Sequence, residues 1–215
     1  MPKSETSNVE AHLDWDDGVA AARKWKTRNV VWLMHVSLDG FVAGPNGEID
    51  WIRFDDDLIE DVQALVDSAD TALFGRVTYR LMESYWPTAA ESPTASKHDL
   101  DHSRWLNPAP KIVFSTTLKN VHWQNTRIVK DHIGEEIARL RKQPGKNLIL
   151  FASPTLGSTF MNLNLIDEYF FNINPIVLGK GKPLFREQSE MRRLKLLEAK
   201  TYKNGVASLR YGRGS

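Results

Sequence analysis

Three short segments of this chain combine small or hydroxyl residues, and each directly follows an apolar run: Gly75-Arg76-Val77-Thr78, Ser115-Thr116-Thr117 and Ala152-Ser153-Pro154-Thr155. Backbone N–H groups at such corners can meet an anion, and Arg76 adds a planar fork suited to phosphate. Each also has a plainer reading. Ser153-Pro154 suits a helix start, with Ser at the N-cap and Pro at the first helical position. Gly75 suits a strand-to-helix turn, and Ser115-Thr116-Thr117 a polar strand end. Their equivalent placement joins them, because ligands of open α/β sheets bind beyond the carboxyl ends of the strands. The common phosphate cradles are missing. No Gly-x-Gly-x-x-Gly follows the first strand, and Gly145-Lys146-Asn147, Gly179-Lys180-Gly181 and Gly181-Lys182-Pro183 all fail the Gly-Lys-Ser/Thr pattern.

Other chemistry is narrower. With no cysteine, disulfides, thiolate metal sites and a cysteine nucleophile are excluded together. His98 and His102 stand four apart with Asp99 and Asp101 between them, but no third ligand is in view, so a solvated helix face is the reading and no metal is expected. His35 either points into a pocket or fills core space. Asp39 lies in Ser-Leu-Asp-Gly, where Asp before Gly is also what a turn wants. From Lys180 onward the chain is basic, a character open to phosphorylated ligands, nucleic acid or simple edge-strand protection. With 28 basic against 27 acidic residues and a net charge of +1, a chain built mainly to hold nucleic acid is not expected.

The elements that must position these residues follow from pattern. Residues 1–27 read as an extension, either without fixed structure or as a helix from about Val9 to Trp25. The domain spans 28–215. Val30–Val36 is a buried strand that runs into a glycine-punctuated loop. Leu58, Ile59, Val62, Leu65 and Val66 mark a helix ending near Ser68. A strand at Thr71–Phe74 leads into a helix stopped at Trp86-Pro87. A helix is expected around Lys97–Leu106, then strands at Lys111–Phe114 and Thr126–Val129 and a helix at Ile133–Arg141. A strand at Asn147–Phe151, a helix at Pro154–Leu163 and a long strand at Glu168–Leu178 follow. Asn204-Gly205 between Leu194–Tyr202 and Val206–Tyr211 signals a hairpin. The pattern predicts a three-layer α/β fold, mostly parallel, closed by antiparallel C-terminal hairpin strands. At 41% hydrophobic and 26% charged the chain is an ordinary globular one, and no run is long enough for a membrane span or signal peptide. A cytoplasmic location is expected.

Val36-Ser37-Leu38-Asp39-Gly40-Phe41-Val42-Ala43-Gly44, Asp50-Trp51, Gly75-Arg76-Val77-Thr78-Tyr79, Lys111–Leu118, Leu165–Glu168 and Pro175–Phe185 together resemble the dihydrofolate-reductase-like superfamily. More closely they resemble the branch named for the C-terminal reductase domain of the riboflavin-biosynthesis deaminase–reductase. The likeness runs from about Asn29 to Tyr211.

The resemblance implies an NADPH-dependent reductase of a small heterocyclic substrate, with a homodimer as its usual assembly. It assigns Gly75, Arg76 and Thr78 to cofactor phosphates, and Ser115 and Thr116 to the adenosine 2′-phosphate. Ala152, Ser153, Thr155 and Leu156 fall to the pyrophosphate, and Val42 and Ala43 to the nicotinamide. His35, Asp39 and Trp51 are candidates for the substrate side. Asp56 falls where folate reductases hold a proton-delivering carboxylate, although Phe54-Asp55-Asp56-Asp57 also suits a helix start. Where the family has Gly-Gly or Gly-Ser, with the Gly-Gly bond cis in folate reductases, this chain has Ala152-Ser153. Two added Cβ groups crowd a backbone that must approach phosphate closely, which leaves a non-catalytic ligand-binding protein as the alternative.

Overall fold

The computed structural model describes residues 27–186 and 190–214. The extension expected over residues 1–27, with its possible helix, lies outside them save for Thr27. In chain order the elements are β1 (Val30–Ser37), β2 (Phe41–Ala43), α1 (Asp56–Asp67), β3 (Ala69–Gly75), α2 (Arg76–Glu83), α3 (Trp86–Ala89), α4 (Lys97–Leu106), β4 (Lys111–Phe114), β5 (Thr126–Val129), α5 (Ile133–Arg141), β6 (Asn147–Phe151), α6 (Pro154–Asn162), β7 (Glu168–Asn174), β8 (Lys182–Pro183), β9 (Leu194–Thr201) and β10 (Ala207–Arg213).

Among the described residues eight strands form one sheet in the order β5-β4-β3-β6-β1-β7-β10-β9. The run from β5 to β7 is parallel, and the hairpin β9–β10 adds antiparallel pairing against β7. β1 is central and buried along its length, so its alternate residues feed both faces. Val30, Trp32, Met34 and Val36 pack with Ile137 and Leu140 of α5 and with Leu156 and Phe160 of α6. Val31 and Leu33 pack with Leu58, Val62 and Val66 of α1, Tyr79 of α2 and Leu106 of α4. The result is the expected three layers. Each fully buried Leu or Val contributes about 1.5–3 kcal/mol.

Two sequence expectations shift. β7 ends at Asn174 rather than Leu178, because Pro175 has no N–H for the ladder. Trp86-Pro87 opens the short α3 instead of merely stopping α2, since Pro is tolerated in a first turn. A two-stranded pairing of β2 with β8 was not foreseen. It fits beneath Gly181, where a Cβ would overlap the Ala43 carbonyl oxygen. In the hairpin loop Gly205, at φ 88°, donates to the Tyr202 carbonyl, as the Asn-Gly signal anticipated.

At the opposite end of the sheet from the three ligand-type segments, buried Arg28 ties the domain's first residues to β3 and β6. It ion-pairs with Asp70 and donates to Thr71 Oγ1 at 2.7 Å and to the Lys146 carbonyl at 2.7 Å. Lys111, fully buried at the start of β4, donates to the carbonyls of Leu106, Asn107 and Ala109 at 2.8–2.9 Å. Burial lowers its pKa to about 8, so at neutral pH the ammonium still carries charge into the C-terminal end of α4. Among the described residues, no helix is long and apolar enough to cross a membrane.

Candidate active site

The three segments singled out in the sequence end the neighbouring strands β4, β3 and β6, so the sheet brings them together at one edge of its carboxyl face. Two of them are cross-linked. The Gly75 N–H donates to Ser153 Oγ at 2.9 Å, and the Ser153 N–H donates to Thr78 Oγ1 at 3.2 Å. Ser153 is thus at the N-cap of α6, but its hydroxyl turns to β3 instead of capping its own helix. Pro154 occupies the first helical position as anticipated.

Ala152 and Ser153 both lie in the left-handed region, at φ 44° and 55°, and the described residues contain no cis peptide bond. Side chains there cost roughly 1–2 kcal/mol per residue relative to glycine. The turn is held from several sides. The Ala152 N–H donates to the Leu33 carbonyl at 2.9 Å, and the Ala152 carbonyl accepts the Trp32 indole N–H at 2.6 Å. The first-turn amides of Thr155 and Leu156 lack an acceptor within the helix and stand where an anion is favoured.

At the end of β4, Ser115 Oγ accepts the N–H groups of Thr117 at 3.2 Å and Leu118 at 3.0 Å. Thr116 is exposed beside it. An open concavity of about 530 Å³ runs from here to α2, lined by Arg76, Arg80, Thr117, Leu118, Lys119 and Asn120. Arg80 is committed to Glu83 and to the Asn120 carbonyl. Among the described residues Arg76 and Lys119 have no protein partner, so two free cations face this hollow. Glu83 organises the rim: despite the opposing effect of burial, donors from Tyr79, the His122 N–H, Arg80 and the Trp123 N–H hold its pKa at about 2. Lys119 escaped the sequence reading, since a lone lysine after Thr117-Leu118 carries no pattern.

The remaining candidates lie nearer β1. Val42 and Ala43 are buried in β2 against the β8 segment. Asp39 accepts from Ser37 Oγ at 2.6 Å, the Leu178 N–H at 3.1 Å and the Gly179 N–H at 2.7 Å, so its carboxylate joins the loop after β1 to the one before β8. These donors, the Ser37 hydroxyl foremost, hold its pKa below the usual carboxylate value. Trp51 donates its indole N–H to the Glu48 carbonyl at 3.0 Å, within its own loop. His35 stacks edge-on to Phe54 with ring centroids 5.0 Å apart, and among the described residues its buried Nδ1 has no partner. Burial lowers its pKa to about 4, so the ring is neutral at pH 7. Asp55 is the N-cap of α1, accepting the Leu58 N–H at 2.9 Å, whereas Asp56 is exposed in the first turn.

His98 and His102 sit in an aromatic box rather than on a solvated face. Their centroids are 5.4 Å apart, and His102 lies 4.3 Å from Trp86 and 5.9 Å from Phe151. Among the described residues no group of three potential metal ligands forms. Three residues of the basic C-terminal segment are ion-paired within the fold: Arg210 with Glu168, Arg213 with Asp167 and Lys200 with Asp61.

The family described as the RibD C-terminal domain matches residues 28–208. The chain belongs to the RibD C-terminal domain family. It is 37% identical over 188 residues to YyaP of Bacillus subtilis (strain 168), covering 86% of this chain and 95% of that protein. Among solved structures, it superposes with TM-score 0.63 and 16% identity on a Thermotoga maritima diaminohydroxyphosphoribosylaminopyrimidine deaminase/5-amino-6-(5-phosphoribosylamino)uracil reductase, covering 87% of this chain and 57% of that one. It also superposes on Enterococcus faecalis dihydrofolate reductase complexed with NADP(H), with TM-score 0.57, 12% identity, and coverage of 89% and 99%. These likenesses place the RibD C-terminal domain of this chain on the dihydrofolate-reductase-like fold.

Proposed function

We propose that this chain is an NADPH-dependent reductase acting on a C=N or C=O group of a small heterocyclic substrate, such as a phosphoribosylaminopyrimidine or a pterin. The observation that carries this reading is the meeting of three strand ends beside a hollow that presents two cations, Arg76 and Lys119, unpaired among the described residues. The residues present suit a dinucleotide bearing an extra phosphate. Thr155 and Leu156 offer first-turn amides for the pyrophosphate, while Arg76, Thr116 and Lys119 offer charge and a hydroxyl for the 2′-phosphate. Ser153 can donate its hydroxyl proton to a phosphate while its oxygen accepts the Gly75 N–H, which keeps that amide from the anion.

The bound nicotinamide would supply the hydride. The chain's own residues have the other tasks. Val42 and Ala43 form a fixed wall, held by the β8 segment and by Asp39 at the loop base. His35, neutral and backed by Phe54, is placed on the substrate side as an uncharged ring whose Nδ1 is buried. Asp56, or a water it orients, assists the proton that accompanies reduction.

Titration with NADPH and NADH, followed by the nicotinamide absorbance and by calorimetry, tests the reading. NADPH is expected to bind at least about tenfold more tightly than NADH, and Arg76→Gln to remove most of that preference without lowering the unfolding temperature. Equal affinity for the two cofactors overturns the assignment of the cations. Tight NADPH binding with no oxidation across reducible pyrimidines and pterins favours the non-catalytic binding protein.

A further inference from the structure

Trp32 is a fully buried residue of β1 whose indole is fixed on every side. Its ring lies edge-on to Phe171 at 5.3 Å and to Phe185 at 6.2 Å, the first from β7 and the second from the segment after β8. On α6 it rests against Gly157, where a Cβ would overlap the ring. The one polar atom of this side chain is aimed at the candidate site: the indole N–H donates to the Ala152 carbonyl at 2.6 Å.

That carbonyl belongs to the first of two consecutive left-handed residues, neither of them glycine. A glycine pair would adopt such a turn through its own conformational freedom. Ala152 and Ser153 lack it, so an external contact must select the turn. Fixing the Ala152 carbonyl fixes the orientation of the 152–153 peptide, hence the direction of the Ser153 N–H and the entry into α6.

We propose that Trp32 is a positioning residue for cofactor binding, a clamp that holds the Ala152-Ser153 turn left-handed and so aims the first-turn amides of Thr155 and Leu156 at an anion. The role rests on the reductase reading given above. Trp32 acts through Ala152, supplying with one hydrogen bond and a fitted ring the local order that glycines would have supplied by permissiveness.

Trp32→Phe keeps an aromatic filler and removes the N–H. NADPH dissociation constants, measured by calorimetry on the full chain, are expected to rise about tenfold in this variant, the usual effect of losing one buried hydrogen bond. Ala152→Gly, which makes the left-handed conformation free of strain, is expected to restore most of the lost affinity when added to the Trp32→Phe background. A role in packing alone would not be rescued that way. Equal affinity of Trp32→Phe and wild type, or failure of Ala152→Gly to rescue, overturns the clamp while leaving the reductase reading standing. Absence of NADPH binding by the wild-type chain overturns that reading and the cofactor role of Trp32 with it. Should Trp32→Phe not fold, hydrogen exchange of the wild-type indole N–H decides: exchange slowed by saturating NADPH, as coupling between this bond and the cofactor requires, supports the clamp, and exchange unchanged by NADPH overturns it.

Discussion

The Ser153 hydroxyl oxygen lies 2.9 Å from the Gly75 backbone nitrogen and accepts its proton. One strand-end donor that an anion could use is therefore already satisfied by the neighbouring strand end. An incoming phosphate competes with this serine, and the competition has a measurable sign. Ser153→Gly frees the Gly75 N–H and removes the left-handed strain at φ 55°. Pyrophosphate and NADPH are expected to bind several-fold more tightly to this variant in calorimetric titration. A several-fold loss instead would mean that the hydroxyl itself moves onto the phosphate as a ligand.

The acidic start of α1 gives two adjacent carboxylates different surroundings. Asp55 caps the helix, so Asp55→Ala is expected to lower stability by about 1 kcal/mol in urea unfolding. Asp56 is exposed and makes no cap, so Asp56→Asn is expected to change stability by less than about 0.5 kcal/mol. Turnover should respond in the opposite order, with kcat falling at least about tenfold in Asp56→Asn while the NADPH KM holds. Full turnover in that variant would hand the proton step to another group.

Acid sensitivity has a named source in the aromatic box. Burial, with the nearby His98 adding to it and Asp99 opposing, lowers the His102 pKa to about 3. Above about pH 6.5 the imidazole is neutral in both the folded and unfolded chain and contributes no pH dependence. Below that, the unfolded chain takes up a proton that the folded one refuses, so stability falls as the pH drops from about 6.5 toward 3. The loss from this one group reaches about 2–3 kcal/mol near pH 4.5. His102→Phe, which fits among Trp86, Trp105 and Phe151, is expected to flatten the stability profile between pH 7.5 and 4.5. An unchanged slope in this variant would assign the acid response elsewhere, with His35 the next group to test.

Much of this was legible because it is local. A run such as Ala72-Leu73-Phe74 followed by Gly75 encodes a strand and its exit, and Ser96 with Asp99 encodes the capping box that starts α4. The placement of three anion-type segments on β4, β3 and β6 followed from reading each strand end in turn. What escaped depends on pairing between distant residues. β2 and β8 are three and two residues long, too short for any periodicity, and exist because Gly181 admits the Ala43 backbone. The contact of Trp32 with Ala152 requires knowing that β1 lies beside β6 in the register Leu33↔Phe151. Asp39 was legible as a loop residue, but its two amide donors come from Leu178 and Gly179, far along the chain.

The central position of β1 also governs when this protein can fold. Its neighbours on the two sides, β6 and β7, begin at Asn147 and Glu168, so β1 leaves the ribosome more than a hundred residues ahead of either partner. The apolar run Val30-Val31-Trp32-Leu33-Met34 stays unpaired through that interval, and pairing over such separations is intrinsically slow. A fragment ending after β5 would hold four of the eight main-sheet strands and lack the one that separates β3 from β1. Synthesis of the last third of the sequence, rather than of the first, sets the moment at which the sheet closes.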